Sequence, residues 1–141
     1  MTKKWFDLVG LAVLVAAFGC GESSVGDPCI PENVPAGGFL SAETYLETSS
    51  VQCASRVCLV REVDGDPNNV EPECPLGAET CVAPGDIERG VYCTVRCAAP
   101  AGSGLPTQGC PGGFTCTEIL ETGGDGLRGS YCVRDPIVIE G

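Results

Sequence analysis

Cysteines constrain the fold of this chain more than any other residue type. The chain has 141 residues and 11 cysteines, and all of these except Cys20 lie between Cys29 and Cys132. The remaining number is even, as a fully paired set of disulfides requires. The chain has no histidine, and none of its neighbouring cysteines has the Cys-x-x-Cys spacing of redox motifs and zinc sites. We therefore predict structural disulfides at Cys29, Cys53, Cys58, Cys74, Cys81, Cys93, Cys97, Cys110, Cys116 and Cys132.

The composition agrees with a domain held together by disulfides. The chain has 20 glycines and 11 prolines, and aromatic residues make up only 6% of it. Such a chain has little with which to fill a core, and small exported domains compensate with disulfides, each worth about 2–4 kcal/mol. We predict a small disulfide-rich fold that is mostly β, with irregular loops and one short helix. Because disulfides persist in oxidising compartments, we also predict that the protein is exported.

The N-terminus has the pattern of a secretion signal. Lys3 and Lys4 precede an apolar run that extends from Leu8 to Phe18. The run is within the roughly 7–15 residues of a signal peptide and is shorter than the ~18 that would span a bilayer. We predict that residues 1–19 are a signal peptide, which would leave Cys20 at the new N-terminus.

The residues around this cleavage point, Ala17-Phe18-Gly19-Cys20, resemble the lipobox of bacterial lipoproteins. The resemblance implies that Cys20 is acylated, so that the membrane is a partner through a lipid anchor. In that family an Asp after the cysteine retains the protein in the inner membrane. Gly21 stands there in this chain, which implies the outer membrane or the cell surface. The chain is also similar to uncharacterised cysteine-rich lipoproteins of two-membrane bacteria. Ala17-x-Gly19 suits ordinary signal peptidase too, so simple secretion stays open.

Four segments follow from these patterns. After the signal peptide, residues 20–28 form the lipidated cysteine and a short polar tether, which its small and turn-forming residues would keep flexible. Residues 29–134 form one disulfide-stapled domain, because the cysteines run through this range without a gap. Residues 135–141 form a C-terminal tail, in which Ile137 to Ile139 could add an edge strand or fray.

Local patterns predict the secondary structure of the domain. Residues 39–47 are predicted to form the short helix, with Ser41 as its N-cap, and residues 70–90 are predicted to be loop. Turn residues at 122–126 suit a hairpin connection. Many disulfide pairings are possible, and one candidate is Cys116–Cys132, which would join the last two strands. The predicted strands are Val57–Val63, Val91–Cys97, Phe114–Leu120 and Ser130–Val133.

One acidic loop carries the only cofactor candidate. Asp64, Asp66 and Asn68 present side-chain oxygens at alternate positions, like the start of a calcium loop. The EF-hand pattern does not fit, because Asn69 and Pro75 occupy the positions of its glycine and its last glutamate. Two interpretations therefore stay open, an irregular calcium site and a solvated acidic turn.

Charge and residue types limit the possible functions. Residues 20–141 carry a net charge of −12, which disfavours binding to nucleic acid. Without histidine the chain lacks the usual base of Ser-His and Cys-His pairs, so we predict that it is not an enzyme. We predict a surface or outer-membrane lipoprotein with a structural or protein-binding role and an unknown protein partner. The alternatives are a calcium-stabilised adhesion or recognition module and a secreted inhibitor or effector.

Overall fold

Two antiparallel sheets of three strands each make up most of the regular structure. The computed structural model describes residues 24–74, 79–120, 124 and 126–137. The sequence prediction of a small disulfide-rich, mostly β fold with one short helix is confirmed. The elements are β1 (Thr44–Glu47), β2 (Val57–Arg61), α1 (Pro84–Gly90), β3 (Val91–Thr94), β4 (Arg96–Ala98), β5 (Phe114–Leu120) and β6 (Gly129–Arg134).

The first sheet has the strand order β1-β2-β3, with β2 at its centre. Cys58, Leu59 and Val60 of β2 are all buried, so both faces of this strand are covered. Because side chains alternate along a strand, Cys58 and Val60 pack into one apolar cluster while Leu59 packs into another. The β-branched run that predicted this strand therefore corresponds to a strand buried on both sides.

The second sheet has the order β4-β6-β5. The predicted strands at residues 114–120 and 130–133 are confirmed. The predicted strand over residues 91–97 is interrupted at Val95, and its two parts belong to different sheets. The break is held by hydrogen bonds to β6, since the N–H of Cys132 donates to the Val95 carbonyl at 3.1 Å and the Thr94 hydroxyl donates to the Cys132 carbonyl at 2.6 Å.

The helix predicted over residues 39–47 is wrong. Residues 40–43 form a turn, in which the N–H of Glu43 donates to the Leu40 carbonyl at 2.8 Å, and the strand β1 follows. A two-turn helix is marginal alone, and backbone pairing of β1 with β2 replaces it. The short helix of the fold is α1, within the range predicted to be loop. It begins at Pro84, which is suited to the first helical turn because its missing N–H needs no partner there.

Five disulfides pair all ten predicted cysteines, and they fall into two groups along the chain. This density of disulfides indicates an exported protein. Among the described residues no disulfide connects the part before residue 94 with the part after it. The pairs are Cys29–Cys58, Cys53–Cys93 and Cys74–Cys81 in the first group, and Cys97–Cys116 and Cys110–Cys132 in the second.

The candidate Cys116–Cys132 bridge does not form, although these two residues are opposite each other on β5 and β6. Each is bonded to a cysteine outside the β5–β6 pair, and the sulfur atoms of Cys97, Cys110 and Cys132 all lie within 4.8 Å of one another. Opposition across strands therefore does not by itself select the disulfide partner. The first sheet repeats this arrangement, because Cys58 and Cys93 are opposite on β2 and β3 yet bond elsewhere.

Tyr92 joins the two sheets. This β3 residue is 2% exposed and packs with Leu59 and Val133. Its ring meets the Phe114 ring edge-on, with 5.6 Å between the centroids. The Arg134 guanidinium lies over both rings, 5.0 Å from the Tyr92 centroid and 5.2 Å from that of Phe114. The backbone N–H of Arg134 donates to the Tyr92 hydroxyl at 2.8 Å. Apolar packing and hydrogen bonds thus connect the two sheets, which no disulfide between described residues links.

The segment predicted as a flexible tether is attached to the domain at its C-terminal end. The N–H of Gly26 donates to the Cys93 carbonyl at 2.9 Å, and the N–H of Cys93 donates to the Asp27 carbonyl at 2.8 Å. The Arg134 guanidinium also donates to the Gly26 carbonyl at 3.1 Å. The described contacts of the domain therefore begin before the predicted boundary at residue 29.

Two smaller predictions lie largely outside the described residues. Of the hairpin connection predicted at residues 122–126, only Gly124 and Gly126 are described. Of the apolar tail segment, only Ile137 is described, and it lies outside the strands.

Digestion of the oxidised protein after its arginines will test the disulfide pairing. We expect three linked products, because the pairing joins some fragments and closes a loop within others. These are a complex of the peptide ending at residue 56 with 57–61 and 90–96, the single peptide 62–89, and the pair 97–128 and 129–134. Mass spectrometry before and after reduction identifies them.

Additional cleavage after Phe114 separates the second group further. With the observed pairing, 97–114, 115–128 and 129–134 stay together as one species. A separate 97–114 fragment closed by its own two cysteines would contradict the pairing and would restore the Cys116–Cys132 alternative.

Alkaline pH will destabilise the protein through Tyr92. Burial raises the pKa of the Tyr92 hydroxyl above its ordinary value of 10.0, and its hydrogen bond to Arg134 and the charge of Arg134 offset this only in part. Because the folded-state pKa lies above the unfolded one, this stabilisation is full below pH 10.0 and is lost as pH rises through the folded-state value. Denaturant midpoints measured from pH 8 upward should begin to fall above pH 10.0 and should level off once the pH exceeds the folded-state pKa of Tyr92. The midpoints should fall less steeply with pH in Tyr92→Phe than in the wild-type protein. Equal pH dependence in the two proteins would contradict the role of the Tyr92 hydroxyl.

Candidate binding groove

The structure places the predicted disulfide residues within the domain but adds nothing on Cys20, which lies outside the described residues. The sulfurs of Cys29, Cys53 and Cys93 form one close group, and those of Cys97, Cys110 and Cys132 form another. All six sulfurs are in disulfides. They are therefore not the thiolates that a metal would need, and both groups are adjacent pairs of disulfides.

The calcium candidate residues form a hydrogen-bonded turn. The Asp66 carboxylate accepts the N–H of Asn68 at 2.9 Å, and the N–H of Asp66 donates to the Thr80 carbonyl at 2.9 Å. Asp64 is exposed on the same loop. Within the part of the chain that the structure describes, neither aspartate belongs to a group of three or more close carboxylate or thiol ligands. The calcium site therefore stays a prediction.

A groove of about 560 Å³ lies beside β1 at the edge of the first sheet. Residues 32–35 form one wall, and residues 39–45 contribute the rest. Its volume is typical of sites that bind small molecules or peptide side chains. The lining residues are Glu32, Asn33, Val34, Pro35, Phe39, Glu43, Thr44 and Tyr45.

Two aromatic rings lie at the base of the groove. Phe39 and Tyr45 pack with 5.3 Å between ring centroids and a tilt of 34°. Phe39 is only 4% exposed, while Tyr45 is half-buried, and both contact the apolar cluster of the first sheet. Val34 packs against the same cluster from the opposite wall. The apolar surface of the groove is thus continuous with the core, which holds it in place.

Close backbone packing positions Phe39. Its N–H donates to the Gly65 carbonyl at 2.7 Å, and the N–H of Gly65 donates back to the Phe39 carbonyl at 2.9 Å. Gly38 precedes it with φ +82°, and a Cβ on Gly38 would lie 2.1 Å from the Gly65 carbonyl carbon. Only glycine fits this approach, so Gly38 allows the two backbones to pair.

A buried carboxylate holds the other wall. Glu47, the last residue of β1, is 3% exposed, and its carboxylate accepts the N–H of Glu32 at 2.8 Å. This hydrogen bond attaches residues 32–35 to the edge strand. Sequence reasoning missed the role of Glu47 because a helix was predicted there. A strand prediction would not have shown it either, since charged residues are seldom buried.

The rim of the groove is acidic. Glu32 and Glu43 are exposed, and the Glu43 carboxylate also accepts the N–H of Leu40 at 2.8 Å. The ion pairs among the described residues are Arg61–Glu62 and Arg89–Asp86, and both lie away from the groove. The groove therefore combines an aromatic floor with carboxylates that no described cation neutralises.

Comparisons of this chain with protein families, with curated proteins and with solved structures found no match. Over the described residues, no helix has both the length and the apolar character needed to cross a membrane.

Substitution of Gly38 will show whether the close approach of the Gly38 and Gly65 backbones beside the groove stabilises the fold. Gly38→Ala should lower the free energy of unfolding by about 1–2 kcal/mol for the positive φ and by a further ~1–3 kcal/mol for the clash with Gly65. Gly37→Ala is the matched control, because Gly37 has φ +93° but no atom within 4 Å of an added Cβ. Denaturant unfolding measures both variants, and equal losses would show that the Gly38–Gly65 approach is unimportant.

Proposed function

We propose that this chain is a non-enzymatic, lipid-anchored protein of the outer membrane or cell surface that binds a protein partner through the groove beside β1. The observation that carries the binding role is the combination of the Phe39–Tyr45 floor with the exposed carboxylates of Glu32 and Glu43. Aromatic side chains are enriched where proteins contact other proteins, because they bury large area at little entropic cost.

The disulfide pairing supports the anchor. Ten of the 11 cysteines in the chain are bonded to one another within residues 29–132. Cys20 is the one cysteine that these five pairs do not use. A single cysteine after a secretion signal is what acylation requires, and an acylated Cys20 with two or more chains would hold firmly to a bilayer.

The contacts of Gly26 and Asp27 support a position close to the membrane. These residues are hydrogen-bonded to Cys93, so the domain begins a few residues after Cys20. The chain between Cys20 and Ser24 can extend by at most about 14 Å. An anchored domain would therefore be held near the bilayer.

The lining of the groove favours binding over catalysis. Its polar side chains are two exposed glutamates, an asparagine, a threonine and a tyrosine. The chain has no histidine to serve as a general base near neutral pH. An exposed carboxylate rim over aromatic rings instead matches recognition of a cationic group.

Metabolic labelling will test the anchor. In a bacterial host with two membranes, wild-type protein should incorporate a labelled palmitate analogue and should have lost residues 1–19 by intact mass. Cys20→Ser should be exported, unlabelled and released from the membrane fraction. Gly21→Asp is the matched control, since it should keep the label but move to the inner membrane.

One outcome would contradict the anchor. If wild-type protein is exported without label and carries one alkylatable thiol, the protein is secreted, which favours the inhibitor or effector alternative. Incorporation of label by Cys20→Ser would contradict the assignment of Cys20.

A further inference from the structure

We propose that the partner segment is an extended stretch of polypeptide carrying lysine or arginine, which lies along β1 and places a cationic side chain in the groove. This inference rests on the proposed protein-binding function of the groove and adds the chemistry of its ligand. It follows from three features of the groove: its position at a sheet edge, its aromatic floor and its uncompensated negative charge.

Within the described ranges, no further strand pairs with the outer edge of the first sheet. β1 pairs with β2 on one side and stands at the end of the strand order β1-β2-β3. An edge strand presents backbone N–H and C=O groups that can pair with an incoming strand. Peptide recognition by strand addition uses these groups for affinity and an adjacent pocket for specificity. The groove, lined by Thr44 and Tyr45 of β1, has the position of such a pocket.

The floor suits the side chain of a lysine or arginine. The half-buried Tyr45 ring, which packs on the buried Phe39 ring, presents π surface to a cation, and Val34 and Pro35 provide aliphatic surface. Lysine and arginine have long apolar stems that pack along such surface while the charged group reaches a polar rim.

The negative charges at the rim of the groove favour a ligand with a positive charge. The exposed carboxylates of Glu32 and Glu43 both border the groove, and no described arginine neutralises either of them. The chain as a whole has a net charge of −11, so its field attracts cationic segments from a distance. An acidic segment would be repelled both by the rim and by the rest of the surface.

Selection from a random peptide library provides the test. The probe is a library of twelve-residue peptides displayed on phage, and the target is the oxidised mature chain carrying Cys20→Ser. Peptides that bind the groove should be enriched in lysine and arginine about threefold over the library. Their binding should shift the backbone amide resonances of residues 32–35 and 43–47. N-methylation of alternate peptide bonds should abolish binding, because it removes the donors that pair with β1.

Charge variants provide the matched control. Glu32→Gln combined with Glu43→Gln should weaken binding of the selected peptides about tenfold, since two exposed charge pairs are lost. The Glu43→Gln side chain keeps an acceptor for the Leu40 N–H. Glu88→Gln combined with Glu118→Gln changes the net charge equally at exposed positions away from the groove and should leave affinity within twofold. Amide spectra of all variants confirm that they are folded.

The outcomes separate this inference from the proposed function. Groove-binding peptides without basic enrichment, or affinity that is unchanged in Glu32→Gln/Glu43→Gln, would overturn the cationic ligand and leave protein binding intact. Dimerisation of the chain that these substitutions abolish would assign the groove to a second copy and would also overturn it. If no selected peptide shifts the groove resonances, both the inference and the proposed binding site fail.

Discussion

The rest of the structure depends on cysteines that are opposite each other on paired strands but form disulfides with cysteines outside those strands. On β2 and β3, Cys58 and Cys93 are opposite each other, and both are almost fully buried. They bond instead to Cys29 and Cys53, which lie in irregular segments. Each disulfide therefore attaches a loop to the sheet. A disulfide between neighbouring strands would only reinforce a pairing that hydrogen bonds already make. In a chain with few aromatics and many glycines, such attachments replace a large apolar core.

The groove depends directly on these attachments. The wall of residues 32–35 follows Cys29, which is bonded to Cys58, and the Glu47 carboxylate holds the same wall through the Glu32 N–H. The opposite side is held by the backbone pairing of Phe39 with Gly65. A groove fixed on both sides in this way is preorganised, so binding loses little conformational entropy. That property is what a small exported module needs if it is to recognise an extended segment of a partner.

Local patterns predicted the strands of this protein well and its helix badly. The run predicted as a strand over 57–63 became β2, which neighbouring segments bury at its centre, and the run over 114–120 became β5 through its pairing with β6. Residues 39–47 had helix-like capping residues, but backbone pairing with β2 and with Gly65 replaced a helix too short to be stable alone. The calcium loop of Asp64, Asp66 and Asn68 and the lipidation of Cys20 stay predictions, because they depend on an ion and on a modification outside the described residues.

The sequence by itself determined the class of fold and indicated export. The chain has few aromatic residues and an even set of ten cysteines from residue 29 onward, and such a chain folds as a disulfide-rich domain in an oxidising compartment. Only the tertiary structure decided the disulfide partners and the groove. Cys116 bonds to Cys97 although Cys132 is opposite it, because the folded chain also brings Cys97 and Cys110 to these strands. The groove likewise joins Glu32, Phe39 and Tyr45, which only the folded backbone brings together.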